Sequence, residues 1–182
     1  SDALVRKAAR LVADQKIIGW FQGRMEFGPR ALGNRSIVAD PRNKDNLDRI
    51  NSKIKQREGF RPLAPSVLED NVADYFDTAR PSPFMLFAVK NKTDQIPAVT
   101  HIDDSSRIQT VSKEANPLFY DLISEFYKLS GVPVLVNTSL NTAGMPIACT
   151  PQNAFQCFLE AGLDALVLGN FIIEKRNMLW YK

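Results

Sequence analysis

The 182-residue chain holds only two cysteines, one histidine and two tryptophans, and each shortage removes a class of chemistry. Cys149 and Cys157 stand eight residues apart with no C-x-x-C pair. A disulfide framework or a cysteine-based zinc site is therefore not expected, and a reducing cytoplasm is the expected compartment. With His101 as the single imidazole, Ser-His-Asp catalysis and multi-histidine metal binding are not expected either. No apolar run approaches the roughly 20 residues of a membrane span, and no signal-peptide pattern opens the chain. The chain starts at Ser1 rather than Met, with a helical pattern almost at once. That start is expected of a piece of a longer protein, or of a chain with a short added leader.

What is present is ordinary globular material, with 45% apolar and 24% charged residues, which excludes a disordered or low-complexity chain. The length and the absence of repeats or linkers predict one domain over 1–182, with residues 1–15 as a leading helix. The net charge of +3 hides an asymmetry. Residues 1–65 carry 14 Lys/Arg against 7 Asp/Glu, or +7, and residues 66–182 carry 9 against 13, or −4. Nine of the twelve arginines lie at or before Arg61. A local excess of guanidinium groups predicts a bound anion.

Apolar periodicity predicts helices over 3–14, 44–55, Pro117 to Leu129 and Thr150 to about Ala161, the last with Thr150 as N-cap. Strands are expected at Lys16–Phe21, Arg35–Ala39, Phe84–Val89, Arg107–Val111, Val132–Val136, Ala165–Leu168 and Phe171–Glu174. The last two are joined by a tight turn at Gly169-Asn170. Gly59–Ser66, with two prolines, is expected to be extended or looped. The sum is an α/β fold with a sheet partly parallel and partly antiparallel.

Three polar groupings stand out. Arg24, Arg30 and Arg35 are interleaved with the glycines of Gly23–Gly33 (GRMEFGPRALG). Guanidinium forks and glycine-rich backbone N–H groups both suit phosphate or carboxylate. Surface ion pairing is the plain alternative. Lys55, Arg57 and Arg61 follow, at a helix end and into a loop, where they could converge on one ligand or simply complement the helix dipole. Asn137-Thr138-Ser139-Leu140-Asn141 comes directly after the Val132–Val136 strand, where open α/β sheets place ligands, although Asn and Ser also serve turns. Arg107 opens a β-patterned run. His101-Ile102-Asp103-Asp104 offers too few ligands of fixed geometry for a metal and reads as a surface loop. Lys90 to Asp94 reads as a solvated turn, Cys149 and Cys157 as small core residues, and Phe119, Tyr120, Phe126 and Tyr127 as helix packing. The residues alone thus predict a domain that binds a polyanionic small ligand and works by positioning and electrostatics.

A longer comparison of motifs narrows this. Gly23 to Arg42 (GRMEFGPRALGNRSIVADPR) resembles the signature of the carbamoyltransferase family that includes nodulation-factor and antibiotic O-carbamoyltransferases. The likeness continues, in order, through Lys55–Pro65, Pro97–Val111, Val132–Asn141 and Asp164–Lys175. It corresponds to the carboxyl-terminal domain of those enzymes, which is similar to the YrdC-like fold of threonylcarbamoyl-adenylate synthases.

The resemblance implies a domain that takes carbamoyl phosphate and ATP, with Mg²⁺ on the nucleotide, and makes carbamoyl-adenylate. An amino-terminal actin/hexokinase-like domain with a histidine-bound metal would then pass the carbamoyl group to a hydroxyl. The implied catalytic residues are Lys55, Arg61 and Ser139. Arg30, Arg107 and Asn141, followed by Arg24 and Asn137, are the implied ligand-binding residues. This chain lacks the companion domain and the histidine cluster, so the expectation for it is the adenylation half-reaction at most. The ligand is expected where the basic and acidic halves meet. Two alternatives stay open on the sequence: an RNA-binding YrdC-like module using the +7 region, although a nucleic-acid partner is not the expected one, and an inert scaffold or interface domain. A membrane partner is not expected.

Overall fold

Seven strands form one twisted sheet in the order β6-β3-β7-β2-β1-β8-β9, and the computed structural model describes residues 2–175 of the chain. Ser1 and its expected role as an added start lie outside the described residues. The strands are β1 (Ile18–Phe21), β2 (Arg35–Ala39), β3 (Ala64–Leu68), β6 (Gln109–Val111), β7 (Val134–Ser139), β8 (Ala165–Leu168) and β9 (Phe171–Glu174). A separate two-stranded ribbon pairs β4 (Ala88–Lys90) with β5 (Ser105–Arg107). β1 runs parallel to β8 and β3 to β6, and the other pairs in the large sheet are antiparallel. The mixed α/β architecture read from the sequence is the one observed.

The central strands are buried along their length, which is why they read as apolar runs without alternation. At Gly19 in β1 an added Cβ would stand 2.9 Å from Leu166. Helix α1 (Asp2–Ala13) buries Val5, Ala8, Ala9 and Val12 and lies along α4 (Pro117–Ser130), which buries Phe119, Leu122, Ile123 and Phe126. Helix α5 (Pro151–Ala161) packs on β8 and β1. Its first turn is closed by a capping box, with the Asn153 N–H donating to Thr150 Oγ1 and the Thr150 N–H donating to Asn153 Oδ1. Trp20, Phe76, Phe119, Phe126 and Phe158 fill the core completely. No helix among the described residues is long and apolar enough to cross a membrane.

Several elements differ from the sequence expectation. The helix expected over 44–55 is a short α2 (Asp45–Asp48) that widens into a π-type stretch over Arg49–Ile54, closed by the Lys55 N–H donating to Ile50 O at 2.8 Å. Such widening shifts the side-chain phase and is frequent at functional sites. Gly59–Ser66, by contrast, is looped and then extended as expected, with Ala64, Pro65 and Ser66 opening β3. Pro65 is tolerated because the ladder to β6 begins one residue later, at Ser66. The Arg107–Val111 run is two strands in different sheets, broken at buried Ile108. The β7 strand starts at Val134 and continues through Ser139, so Asn137, Thr138 and Ser139 belong to the strand and not to a turn.

The apolar run at Phe84–Val89 is a correction. Only Ala88–Lys90 is strand, and the residues before it turn outward: Phe84, Leu86 and Phe87 are 59%, 68% and 63% exposed. Between them Met85 is buried, with φ of 54°. A single inward anchor on left-handed backbone cannot propagate a ladder. Cys149 is likewise exposed, whereas Cys157 is buried as expected. Phe119 and Phe126 are packed as expected, while the Tyr120 hydroxyl donates outward to Asp70 and Tyr127 is exposed. A short helix, α3 (Val72–Tyr75), follows a 3-10 turn over Glu69–Asn71, and a second 3-10 turn lies at Pro97–Val99.

Candidate functional site

β7 brings Ser139 beside the end of the π-type stretch, and there Lys55 turns its side chain inward. Lys55 is only 7% exposed. Its ammonium donates to Ser139 O at 2.5 Å, to Asn141 Oδ1 at 2.6 Å and to Asn141 O at 3.0 Å, with Ser139 Oγ at 3.3 Å. The Ser139 hydroxyl donates in turn to Asn141 Oδ1 at 2.6 Å, and Asn141 Nδ2 donates to Met145 O at 2.6 Å. Burial draws the Lys55 pKa from 10.5 down to about 7. Three of its partners are oxygens that only accept, so all three N–H groups of the ammonium are used.

On the pocket side of Ser139 lies a polar pocket of about 110 Å³. Arg30, Arg57 and Arg107 line it together with Ser139, Thr138 and Asn137, and no carboxylate does. The three guanidinium groups feel one another. Burial first, and then Arg30, press the Arg107 pKa down. Burial first, then Arg61 and more weakly Arg107, do the same to Arg57. Arg107 Nε is buried with no hydrogen-bond partner among the described residues. Glu58 offsets part of this lowering at Arg57, but no carboxylate lines the pocket among the described residues, and crowded like charges suit an anion of compact shape. The lining comes from both charge halves of the chain, Arg30 and Arg57 from the first and Arg107 and Ser139 from the second.

Other sequence-selected residues stand elsewhere. Arg61 is more than half exposed and its Nε pairs with Glu58 at 2.8 Å. Arg24 is exposed and is absent from the pocket lining among the described residues. Arg35 is buried and structural: its guanidinium donates to the carbonyls of Gln22, Asn34 and Gly23 and stacks 3.6 Å from the centre of the Phe21 ring. Asn137, 1% exposed, spends its amide N–H groups on Ala31 O, Ser66 Oγ and Gln109 Oε1. It therefore ties the glycine-rich loop to β3 and β6 as well as lining the pocket.

The residues that sequence reasoning passed over are Met85 in the lining and Gln109 behind it. Arg57 carries a signal in the sequence as part of the Lys55, Arg57 and Arg61 grouping. Met85 has none, because its neighbours look like strand.

Two further cavities adjoin. One of about 260 Å³ is lined by Leu140, Asn141, Met25, Met145, Cys149 and Cys157, among others, and burial pushes the Cys157 thiol up to about 11. The other is an open groove of about 1380 Å³ that shares Pro62 with the polar pocket and runs past Phe60, Lys92 and His101. In that groove Ser105 donates to Asp103 Oδ1 at 2.6 Å and stands 3.2 Å from His101 Nδ1, an ordinary loop arrangement. Among the described residues no three His, Cys, Asp or Glu side chains converge as metal ligands.

Comparison with known proteins places these features. The family described as Carbamoyltransferase C-terminus matches residues 9–175. The nodulation protein NolNO of Sinorhizobium fredii is 48% identical over 182 residues, covering 97% of this chain and 27% of that protein. The nodulation protein NolO of Bradyrhizobium diazoefficiens is 47% identical over 182 residues, covering 97% and 33%. The chain thus spans about a third or less of these relatives. Among solved structures, P. abyssi Sua5 complexed with L-threonine superposes with a TM-score of 0.68 at 15% identity, covering 93% of this chain and 47% of that one. Full-length HypF in its phosphate- and nucleotide-bound form gives 0.65 at 18%, covering 90% and 20%. The shared fold is the YrdC-like one.

Proposed function

The chain belongs to the family of carbamoyltransferase C-terminal domains, and from that premise we propose that its arginine-lined pocket binds ATP and carbamoyl phosphate and supports formation of carbamoyl-adenylate. The observation that carries this reading is the convergence of Arg30, Arg57 and Arg107 on Ser139 with no carboxylate in the lining. A pocket of about 110 Å³ holds a phosphoryl or carbamoyl group and not a whole nucleotide. The adjoining groove gives the nucleoside room. Full-length HypF, part of which shares this fold, has been solved in a phosphate- and nucleotide-bound form, which is consistent with the choice of ligand.

The chemistry asked of this chain is mostly electrostatic. Water first displaces inorganic phosphate from carbamoyl phosphate to give carbamate, and a carbamate oxygen then attacks the α-phosphorus of ATP as pyrophosphate leaves, so polyanions must approach while charge develops on phosphoryl oxygens. The guanidinium forks neutralise that repulsion. Lys55 and Asn141 fix the Ser139 hydroxyl at the pocket wall, and Ser139 orients the carbamoyl group. Arg61 reaches the ligand only by releasing Glu58. Mg²⁺ would arrive with ATP and would withdraw charge from its phosphates.

The lining loops also carry exposed apolar side chains next to their lining residues: Phe27 before Pro29, Phe60 before Pro62, and Phe84 and Leu86 on either side of Met85. An apolar rim around a charged pocket is what a second folded surface would cover. We assign that surface to the remainder of a longer chain, an actin/hexokinase-like domain that passes the carbamoyl group to a hydroxyl. The test is pyrophosphate release from ATP, measured with and without carbamoyl phosphate. Release that depends on carbamoyl phosphate and is lost in Arg107→Ala supports the reading. Absence of release in the full-length parent overturns it.

A further inference from the structure

Glu26 lies in the glycine-rich loop, outside the pocket, and does unusual work for a loop carboxylate. Its Oε1 accepts the backbone N–H of Leu32 at 2.7 Å, of Asn34 at 2.8 Å and, more loosely, of Arg35 at 3.3 Å. The carboxylate thereby clasps the neck of the loop and leaves Phe27-Gly28-Pro29-Arg30-Ala31 as its tip. Gly28 at the turn has φ of 126°, which a side chain would strain. The returning limb is held by side chains and not by a strand ladder. Asn137 Nδ2 donates to Ala31 O and Gln109 Nε2 donates to Leu32 O. The neutral amides hold the carbonyls, and Glu26 alone holds the N–H groups of Leu32 and Asn34.

Arg30 is the residue this clasp presents. It precedes Ala31 and lines the polar pocket from an otherwise exposed tip. Asn137 and Gln109 hold the carbonyls of the returning limb from β7 and β6, and the Asn34 side chain reaches Arg24 O across the neck; Glu26 adds the charged acceptor that ties the N–H groups of that limb to the outgoing one. The nearby Arg35 guanidinium attracts the Glu26 charge. Glu26 Oε2 and Arg35 Nε are both buried with no hydrogen-bond partner among the described residues.

The geometry points to Glu26 as a positioning residue that sets Arg30 over the anion pocket, so that its loss removes the contribution of Arg30 to ligand binding without Glu26 touching the ligand. This rests on the reading of the pocket given above, and the test separates the two. The first arm needs no ligand. In Glu26→Ala, hydrogen exchange at the Leu32 and Asn34 amides is expected to speed up about tenfold or more, because hydrogen bonds to a charged acceptor are lost. Arg30 should also react faster with phenylglyoxal, as mapped by mass spectrometry. Unchanged exchange at both amides overturns the proposal.

The second arm is a double-mutant cycle read by calorimetry with inorganic pyrophosphate. Glu26→Ala and Arg30→Ala should each weaken affinity about tenfold, and the double variant should be no weaker than either alone. Factors that multiply would mean that Glu26 acts by some route other than Arg30, and would overturn the proposal. Glu26→Gln keeps an oxygen for the N–H groups and should restore affinity to within about threefold of wild type. It also serves if the alanine variant fails to fold, since a glutamine no better than alanine in exchange or affinity counts against positioning. If wild type itself binds no pyrophosphate while the exchange arm behaves as expected, the ligand reading fails and the clasp stands.

Discussion

Lys55 and Asn141, 86 residues apart in the chain, meet with Lys55 Nζ 2.6 Å from Asn141 Oδ1, and the Ser139 hydroxyl donates to that same oxygen at 2.6 Å. A buried cation thus holds the end of β7 in one shape. If Lys55 is replaced by Met, the volume is kept but three acceptor oxygens lose their donor. Pyrophosphate release is expected to fall about tenfold to a hundredfold, the scale of a lost hydrogen bond to a charged group. Steady-state kinetics on Lys55→Met check this, and Lys55→Arg should not rescue it, because the planar fork does not fit a site built for three converging N–H donors.

The same residue gives two opposite pH trends. Its pKa is about 7 in the folded chain against 10.5 ordinarily, lowered by burial. Between those values the unfolded chain binds the extra proton, so the contribution of Lys55 to stability increases with pH across that window. Below about pH 7 both states are protonated and the full burial penalty applies. Anion affinity runs the other way, since raising the pH through about 7 removes one of the three N–H donors and the charge. Denaturant titrations and calorimetry from pH 6 to 9 should show both trends in wild type and neither in Lys55→Met.

Arg57 and Arg61 should separate. Arg57 lines the pocket with its Nε donating to Asn51 Oδ1 at 2.8 Å, whereas Arg61 is paired with Glu58 on the surface. Arg57→Ala is expected to weaken pyrophosphate binding about tenfold. Arg61→Ala should change stability by less than about 0.5 kcal/mol, and its effect on affinity should be the smaller of the two. Calorimetry on both variants decides it. An equal or larger loss at Arg61 would mean that its side chain leaves Glu58 when ligand arrives.

Gly33 cannot be replaced. An added Cβ would stand 2.3 Å from Phe119 Cδ1, and the backbone φ is 106°. Gly33→Ala is expected to destabilise the fold by about 3 kcal/mol through overpacking and backbone strain together, measured by denaturant unfolding. Phe119→Leu should relieve only part of this, because the strained φ remains.

The exposed segment at 84–87 should be dispensable for folding. Phe84→Ser combined with Phe87→Ser is expected to leave the unfolding free energy within about 0.5 kcal/mol. It should also reduce self-association in sedimentation, since both side chains are more than half exposed. A loss above 2 kcal/mol would show that these rings are packed.

Much of this protein was legible from its sequence. Arg35–Ala39, Ala165–Leu168 and Phe171–Glu174 are strands at the expected limits, and the helices opening at Pro117 and Pro151 begin where their caps put them. These features are local: apolar period, an N-cap and a proline at the first turn act within a few residues. The meeting of Lys55 with Ser139 and Asn141 was legible only through the family motifs, because the partners stand 84 and 86 residues apart and no local pattern spans that distance. The 84–87 segment misled because exposure is not a property of a side chain. Phe84, Leu86 and Phe87 read as core, and only the seating of Met85 in the pocket turns them outward.

The sequence by itself determined the fold class and the family, since apolar spacing and motif order are written along the chain. The tertiary structure alone decided which arginines share a pocket. It turned Arg35 into the core onto Phe21, left Arg61 with Glu58, and brought Arg30, Arg57 and Arg107 together. The physical reason is that a guanidinium binds whatever acceptor the folded backbone sets before it. For Arg35 those acceptors are three carbonyls; for the three that share the pocket, the acceptor we propose is an anion.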